Sequence, residues 1–306
     1  MTMNDSMIKT RNFLETLGLP KGDCYQLTTS KKRFADGGQY RFEVPGIQNP
    51  SVMRALLLEL ERLNIVIHRV TQTKGIMSLT DSEITEMVAL SKQYSVELVL
   101  AIGPRATTDT SASVNTPEGQ RMGYRLRGQE QIVRAIEDVK RASFLGCKSF
   151  LVYDEGCLWV LNEAKLAGEI PKDCQFKISA HCGHGNPCSA KWLEISGANS
   201  INPVRDIQLQ MLSAMREAID VPIDVHTENP ASTGGFIRHY EVPEMIRVAA
   251  PIYLKTGGSV AKNHSWDTSE PEARARAKQV SLVKRMIDSY YSGAQQSPKL
   301  EVNDEC

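Results

Sequence analysis

The stretch VPIDVHTE, residues 221–228, alternates apolar and ionisable side chains along what we expect to be a β-strand. Successive side chains of a strand point to opposite faces, so the apolar residues at the odd-numbered positions share one face. Asp224, His226 and Glu228 share the other face. Three ionisable groups in alternation are costly to bury unless they are paired or bound to a metal. The pattern therefore predicts a barrel strand whose outer face packs on helices and whose polar inner face ends in a reaction centre.

On both sides of this stretch, short β-type runs alternate with amphipathic helical segments, which is typical of a parallel sheet with crossover helices. The predicted strands are QYRFEV, IVIHRV, VELVLAI, CKSFLVY, QFKISA, a short run at 199–202, VPIDVH and PIYLK. Eight such units indicate a barrel. A doubly wound open sheet is the main alternative, but no Gly-x-Gly-x-x-Gly follows the first strand. We predict a single α/β domain, a (β/α)₈ TIM barrel over residues 1–292 with an N-terminal helical extension to about residue 36, and a flexible tail over 293–306.

Composition narrows the partners that this chain is expected to have. The 306 residues carry a formal net charge of zero, which argues against nucleic acid as the main partner. There is no run of apolar residues long enough to span a bilayer, no basic amphipathic stretch and no leader of signal-peptide type. The seven cysteines show no repeated short spacing. We therefore expect a cytoplasmic protein with free thiols that acts on a small molecule. Enzymes of this type are often homo-oligomers, but the sequence shows no specific interface.

The fifth predicted strand, QFKISA, repeats the alternation of the seventh. Its apolar side chains share one face, so Lys177, Ser179 and His181 are expected to point into the barrel. The loop that follows contains His184, two cysteines and two glycines. Imidazoles at this position can ligate a divalent metal or position a substrate. We predict a catalytic role for His181 and a substrate-binding role for His184.

The eighth predicted strand places a lysine at the same rim. By parity Lys255 points inward, and the turn Gly257-Gly258 follows it. A lysine at a strand end can serve as a base, as an electrostatic clamp or as an imine-forming amine. Gly-rich turns after the last barrel strand expose backbone N–H groups that can hold phosphate or carboxylate. We predict that Lys255 is catalytic and that Gly257 and Gly258 bind the substrate.

The ends of the other predicted strands add acids, arginines and a phenol to this rim. Each alone is typical of a solvated loop or a structural ion pair, but together they favour a polar active site. The further substrate-binding candidates are Glu43, Arg69, Arg105, Tyr153, Asn202 and Arg205.

One hypothesis for the chemistry is metal-assisted catalysis. Glu155, His181, His226 and Glu228 are the predicted ligands of one divalent ion, and carboxylates with imidazoles suit Mn, Zn, Fe or Co. The metal would polarise a carbonyl or stabilise an enolate while Asp224, His226 or Lys255 moves protons. This hypothesis predicts a lyase, an isomerase or a hydrolase for a small carboxylate- or phosphate-bearing substrate. The ligand pattern is similar to that of xylose-isomerase-like barrels, except that His181 stands where those proteins usually carry Asp.

Two alternatives need no metal. In the first, Lys255 forms an imine with a carbonyl substrate, and a Glu or His side chain is its acid–base partner. In the second, the barrel is not an enzyme and binds a ligand or a partner as a regulator. The same residues at the rim would serve either function, so sequence alone leaves both open.

The carboxyl-terminal third also resembles a known family. The stretches GANSINPVRD at 197–206, VPIDVHTE at 221–228 and PIYLK at 251–255 are similar to bacterial barrel proteins commonly filed as U32-type peptidases. The resemblance implies a barrel fold and hydrolase activity. The cysteine-rich signature of the better-known members is not present in this sequence, and neither is a Gly-x-Ser-x-Gly nucleophile motif.

Overall fold

Eight parallel strands close into a barrel in the order of the sequence, with the last strand paired to the first. The structure is a computed structural model that describes residues 8–23, 26–103, 116–117, 123–261 and 267–300. The strands are β1 Tyr40–Pro45, β2 Arg69–Gln72, β3 Glu97–Ala101, β4 Ser149–Val152, β5 Gln175–Ile178, β6 Ser200–Ile201, β7 Ile223–His226 and β8 Ile252–Lys255. The predicted (β/α)₈ barrel is therefore confirmed.

Helices surround the barrel, and local sequence signals explain where several of them begin. In the described residues they are α1 Ile8–Thr16, α2 Pro50–Arg62, α3 Asp81–Tyr94, α4 Gly128–Phe144, α5 Glu155–Ala167, α6 Pro187–Ile195, α7 Leu209–Ala218, α8 Val242–Ala249 and α9 Glu270–Tyr290. Thr80 caps α3 and Ser269 caps α9, each in a capping box with the acid three residues later. Because α9 packs against α2, the ring of helices closes where β8 meets β1.

Strand parity sorts the side chains as the sequence predicts. Phe42 and Val225 are buried in the large apolar layer between strands and helices. Inside the barrel, one side is apolar, where a separate cluster of Val99, Ala101, Leu151 and Tyr153 comes from β3 and β4. The opposite side of the interior is charged.

The charged side contains three carboxylates and three cations. Asp224 on β7 accepts from Arg69 Nη1 at 2.9 Å and from Ser200 Oγ at 2.8 Å, and it lies 3.3 Å from Lys177 Nζ. Arg69 also pairs with Glu97, with 2.7 Å between Nε and Oε2. The signs balance, which is the condition under which charges persist in a protein interior.

Glu43 links this network to the top of the barrel. It is fully buried and accepts hydrogen bonds from Lys177 and from Thr71, the latter at 2.8 Å. Its Oε1 lies 3.2 Å from Lys255 Nζ. Burial alone would raise the pKa of Glu43, but the surrounding cations outweigh burial and hold that pKa well below its usual value. Glu43 is therefore an anion shared between a lower lysine and an upper one.

Irregular segments, rather than a helix, close the bottom of the barrel. The Phe34 ring packs edge-on against Tyr253 at 5.3 Å between centroids. Helix α1, in the N-terminal extension, buries none of its residues, so it does not close the barrel bottom.

The carboxyl-terminal residues up to 300 pack beside this closure. Gln296 pairs with Tyr40 at the start of β1, and Ser297 is buried and accepts a hydrogen bond from Arg41. The predicted flexible tail is therefore wrong for residues 293–300, because their backbone extends the pairing of β1. Residues 301–306 lie outside the described residues.

No helix within the described part of the chain has both the length and the apolar character that a membrane crossing requires.

Replacing Asp224 with Asn should destabilise the barrel strongly. The substitution leaves Arg69 and Lys177 without one of their carboxylates, and breaking a buried ion pair costs about 3–5 kcal/mol. Urea unfolding followed by circular dichroism measures the loss of unfolding free energy. The control is Glu169→Gln, which removes an exposed ion pair with Lys140 and should change stability little. Equal effects of the two substitutions would contradict a structural role for the network.

Candidate active site

A cavity opens at the carboxyl ends of the strands, as in other barrels of this kind. It encloses about 730 Å³ of space, including the part that is open to solvent. Seven residues predicted for the site line this cavity: Tyr153, His181, Asn202, Arg205, His226, Lys255 and Gly258.

Lys255 lies in the cavity wall, where its side chain is buried next to Glu43 and Asn202. Its ammonium is 3.2 Å from Glu43 Oε1 and donates to the Asn202 side-chain oxygen at 3.1 Å, in the amide orientation that satisfies both ends of Asn202. Burial lowers the pKa of Lys255 and Glu43 partly offsets this, while the nearby Lys177 lowers it further, to about 8. A lysine with this pKa has a sizeable neutral fraction near physiological pH.

His226 lies next to Lys255 on the neighbouring strand, where the two residues pair across the ladder. Burial, followed by the charges of Lys255 and Arg205, lowers the pKa of His226 well below its ordinary value. The imidazole is therefore neutral at physiological pH and can both accept and donate a proton.

His181 and Arg205 form a pair on the opposite wall. Arg205 Nη2 donates to His181 Nε2 at 2.8 Å, and because a guanidinium cannot accept, that nitrogen carries no proton. The ring of His181 also stacks on Tyr124, with centroids 3.5 Å apart. Burial lowers the pKa of Arg205 from its usual value. Arg205 therefore presents a cation to the cavity, and the stacking on Tyr124 fixes the orientation of its partner, His181.

Other predicted residues lie below the cavity or beside it. Glu43, Arg69 and Asp224 belong to the buried network under the cavity floor. Gly257 has a φ of +102°, in the left-handed region that favours glycine, and its carbonyl accepts a hydrogen bond from Arg276. Arg105 lies outside the described residues.

The four predicted metal ligands do not come together. Glu155 is held by His184 and Arg125, which lower its pKa to about 2 against the opposing effect of burial. Glu228 binds Gly257 N and Ser259 Oγ, both at 2.6 Å. In the described part of the chain, no group of three His, Cys, Asp or Glu side chains is arranged to hold a metal ion. These residues therefore do not fit one metal site, and we derive no step through a metal.

The thiol of Cys182 near the site is not activated. Cys182 is free, and burial raises its pKa to about 12, so it is not a thiolate at physiological pH. Cys188 is free and exposed.

Tyr124 and Arg276 are two residues of the site that escaped the sequence analysis. Tyr124 is distant in the sequence from any strand end, but its ring stacks on those of His181 and Tyr153. Arg276 belongs to α9, outside the barrel, and its side chain lines the cavity. For Arg276 the available sequence signal was the pair of glycines that its side chain contacts, Gly46 and Gly257. A glycine in a turn can mark a place where another group approaches the backbone, and both of these have a positive φ.

No family model and no curated protein matches the chain. Similar solved structures include a U32 peptidase, 15% identical, with a TM-score of 0.39 and coverage of 89% of this chain and 92% of that one. A 3-hexulose-6-phosphate synthase is 12% identical, with a TM-score of 0.45 and coverage of 79% and 99%. An orotidine 5′-monophosphate decarboxylase from Methanocaldococcus jannaschii is 8% identical, with a TM-score of 0.44 and coverage of 79% and 98%. The U32 resemblance of the sequence and the peptidase activity that it implies therefore stay predictions.

Deprotonation of Lys255 should occur near pH 8. Above this pH its amine is neutral and reacts with electrophiles, whereas exposed lysines ordinarily titrate near pH ~10.4. Reductive methylation with formaldehyde, followed by peptide mass spectrometry across pH 6.5–10.5 (a range of about four units around the expected midpoint), measures the midpoint for each lysine. A midpoint for Lys255 that coincides with those of exposed lysines would contradict its depressed pKa.

Metal dependence stays a prediction, and elemental analysis of protein purified without chelator tests it. Stoichiometric Mn, Zn, Fe or Co that is lost on His181→Ala would support the metal hypothesis, because that substitution removes a predicted ligand. Metal content that is negligible, or unchanged in His181→Ala, would count against it.

Proposed function

We propose that this chain is an enzyme that forms an imine between Lys255 and a small, anionic carbonyl compound. The observation that carries the proposal is a buried amine with a pKa of about 8 in the wall of the cavity. Imine formation needs a neutral amine, and desolvation next to another cation is a recognised way to obtain one. Lys177, which shares Glu43 with Lys255, is that second cation.

The charges of the cavity wall support an anionic substrate. Lys255, Arg205 and Arg276 line the cavity, and the described residues of its wall include no Asp or Glu. A carboxylate or phosphate group of the substrate would satisfy cations that the protein leaves partly unpaired. This favours a 2-oxo acid or a phosphorylated carbonyl compound over a neutral sugar or a peptide.

In the proposed reaction the neutral Lys255 amine attacks the carbonyl carbon and gives a carbinolamine. The alkoxide formed in this attack takes one proton from solvent. His226, neutral and adjacent, takes up the proton that the nitrogen loses and passes it to the resulting hydroxyl, which leaves as water. The resulting imine nitrogen is protonated and withdraws electrons from the neighbouring carbon. That electron sink permits carbon–carbon cleavage, proton abstraction or decarboxylation, and the expected class is a lyase or an isomerase.

The surroundings of Lys255 support this role in two ways. Asn202 and Glu43 hold the ammonium at 3.1 and 3.2 Å, which fixes the amine in the cavity wall. The predicted metal ligands Glu155 and Glu228 are bound to other partners. Lysine chemistry therefore needs no rearrangement of these side chains, whereas a metal site formed from them would.

Borohydride trapping tests the proposal. Incubation of the full chain with pyruvate and sodium cyanoborohydride should attach a reduced adduct to Lys255, located by peptide mass spectrometry. The yield should rise with pH through about 8 and then level, because the neutral amine is the nucleophile.

Lys255→Arg is the matched variant, because it keeps the charge beside Glu43 and removes the nucleophile. It should lose the adduct entirely while keeping its circular dichroism spectrum. The control Lys148→Arg alters an exposed lysine and should trap normally. An intact protein that forms no adduct with 2-oxo acids or phosphorylated aldehydes, or one that traps equally after Lys255→Arg, would refute the imine mechanism.

A further inference from the structure

Arg276 is a buried cation in the cavity wall that takes part in none of the chemical steps proposed above. It belongs to α9, on the outside of the barrel, and only 4% of its surface is exposed. Its side chain nevertheless lines the cavity between the exits of β8 and β1. A charged group that crosses from an outer helix to the active-site cavity needs a physical explanation, because burial of a cation is costly.

Two glycines make room for this side chain. A Cβ atom on Gly257 would lie 2.9 Å from Arg276 Cβ, and one on Gly46 would lie 3.0 Å from Arg276 Nη2. Both glycines have a positive φ, +102° and +76°, which other residues rarely adopt. The turn after β8 therefore makes room for the Arg276 stem, and the turn after β1 makes room for its guanidinium.

The charge of Arg276 is only weakly compensated. Nη1 donates to the Gly257 carbonyl at 2.7 Å, whereas Nε is buried and has no hydrogen-bond partner. Within the described residues no carboxylate oxygen lies within 4.0 Å, and Glu272 and Glu228 act only from further away. Burial accordingly lowers the pKa of Arg276 to about 10. The group is still charged at physiological pH.

Two other buried arginines show how this chain treats such a charge elsewhere. Arg69 is paired with Glu97 and Asp224 inside the barrel. Arg216 donates three hydrogen bonds to backbone carbonyls. Arg276 has one such bond and faces the cavity, so an anion that enters the cavity is the partner that its position favours.

We propose that Arg276 binds a second anionic group of the substrate, so that the substrate carries a carboxylate or phosphate at each end. This inference rests on the proposed function for the position of the carbonyl. Arg205 follows β6, Arg276 lies between β8 and β1, and Lys255 and His226 lie on the strands between them. A dianion would place one end on each arginine and its carbonyl at Lys255.

The first test measures binding without chemistry. Isothermal titration calorimetry with inorganic phosphate compares the unmodified protein with Arg276→Gln, Arg276→Lys and the control Arg274→Gln. Arg274 lies on the same helix but is exposed and pairs with Glu270. Loss of a charged hydrogen-bonding partner should weaken phosphate binding about tenfold to a hundredfold in Arg276→Gln. Arg276→Lys should lose less, because it keeps the charge but not the fork. The control should bind normally.

The second test uses the trapping reaction and needs no variant. The concentration that gives half-maximal adduct is measured for pyruvate and for the dianions oxaloacetate, 2-oxoglutarate and 2-oxoadipate. At least one dianion should trap at a concentration about tenfold or more below that for pyruvate. In Arg276→Gln that preference should disappear, because the half-maximal concentration should rise more for the dianion than for pyruvate.

The outcomes separate this inference from the function on which it rests. Pyruvate trapping with no preference for any dianion, or phosphate binding that is equal in Arg276→Gln and the unmodified protein, would overturn the role of Arg276 and leave the imine mechanism standing. No trapping of any carbonyl compound, with phosphate binding that still depends on Arg276, would refute the imine and keep the anion site. Should Arg276→Gln fail to fold, the preference of the unmodified protein among the carbonyl compounds decides.

Discussion

The carboxylate of Glu43 is the interaction on which the rest of this barrel depends. It is fully buried, and it is shared by Lys177 below and Lys255 above, with Thr71 donating a further hydrogen bond. Burial lowers the pKa of Lys255, and an anion that is shared with Lys177 offsets this only in part. The network that stabilises the charged half of the interior is thus also the source of an amine with a sizeable neutral fraction. Stability and reactivity in this barrel have a common electrostatic origin.

The two halves of the barrel interior differ in polarity. On the β3 and β4 side, Val99, Leu151 and Tyr153 fill the interior with apolar groups, as in an ordinary barrel core. On the other side, ion pairs replace that packing, and they hold their geometry because each carboxylate has several donors. An apolar wall beside a charged one lowers the local dielectric and strengthens each charge interaction. The cavity at the carboxyl ends of the strands is likewise lined by both kinds of residue, such as apolar Leu151 and charged Lys255.

Strand parity explains why so much of the interior could be predicted from the sequence. The period of two is a local property, so Lys177, Asp224, His226 and Lys255 could all be assigned inward without knowing the fold in detail. Strand parity predicts the direction of a side chain only within the strand. Beyond β7 the chain turns, and Glu228 binds the backbone of the next loop instead of facing the cavity.

The parts that sequence missed depend on contacts between distant segments. Glu155 is captured by His184 and Arg125, and no spacing rule links those three positions. The residues after position 292 looked like a polar tail, yet Ser297 is buried because an edge of β1 was available to pair with this segment. The charge and polarity of a segment indicate the environments in which it can lie. The tertiary fold determines which other segment it contacts.

Arg69 and Arg276 are both buried, but their charges are compensated in different ways. Arg69 is surrounded by carboxylates of its own chain, so its charge is already satisfied and contributes to the stability of the interior. Arg276 keeps a single backbone partner and faces the cavity, so its desolvation is already accomplished before any ligand arrives. A site that is desolvated in advance loses less on binding, because the anion displaces little ordered solvent and the guanidinium is already oriented by two glycine turns. For the same reason, the buried charge of Arg276 destabilises the unliganded chain, and a bound dianion would offset this cost. Ligand binding and folding stability are therefore expected to be coupled through this arginine more than through Arg69.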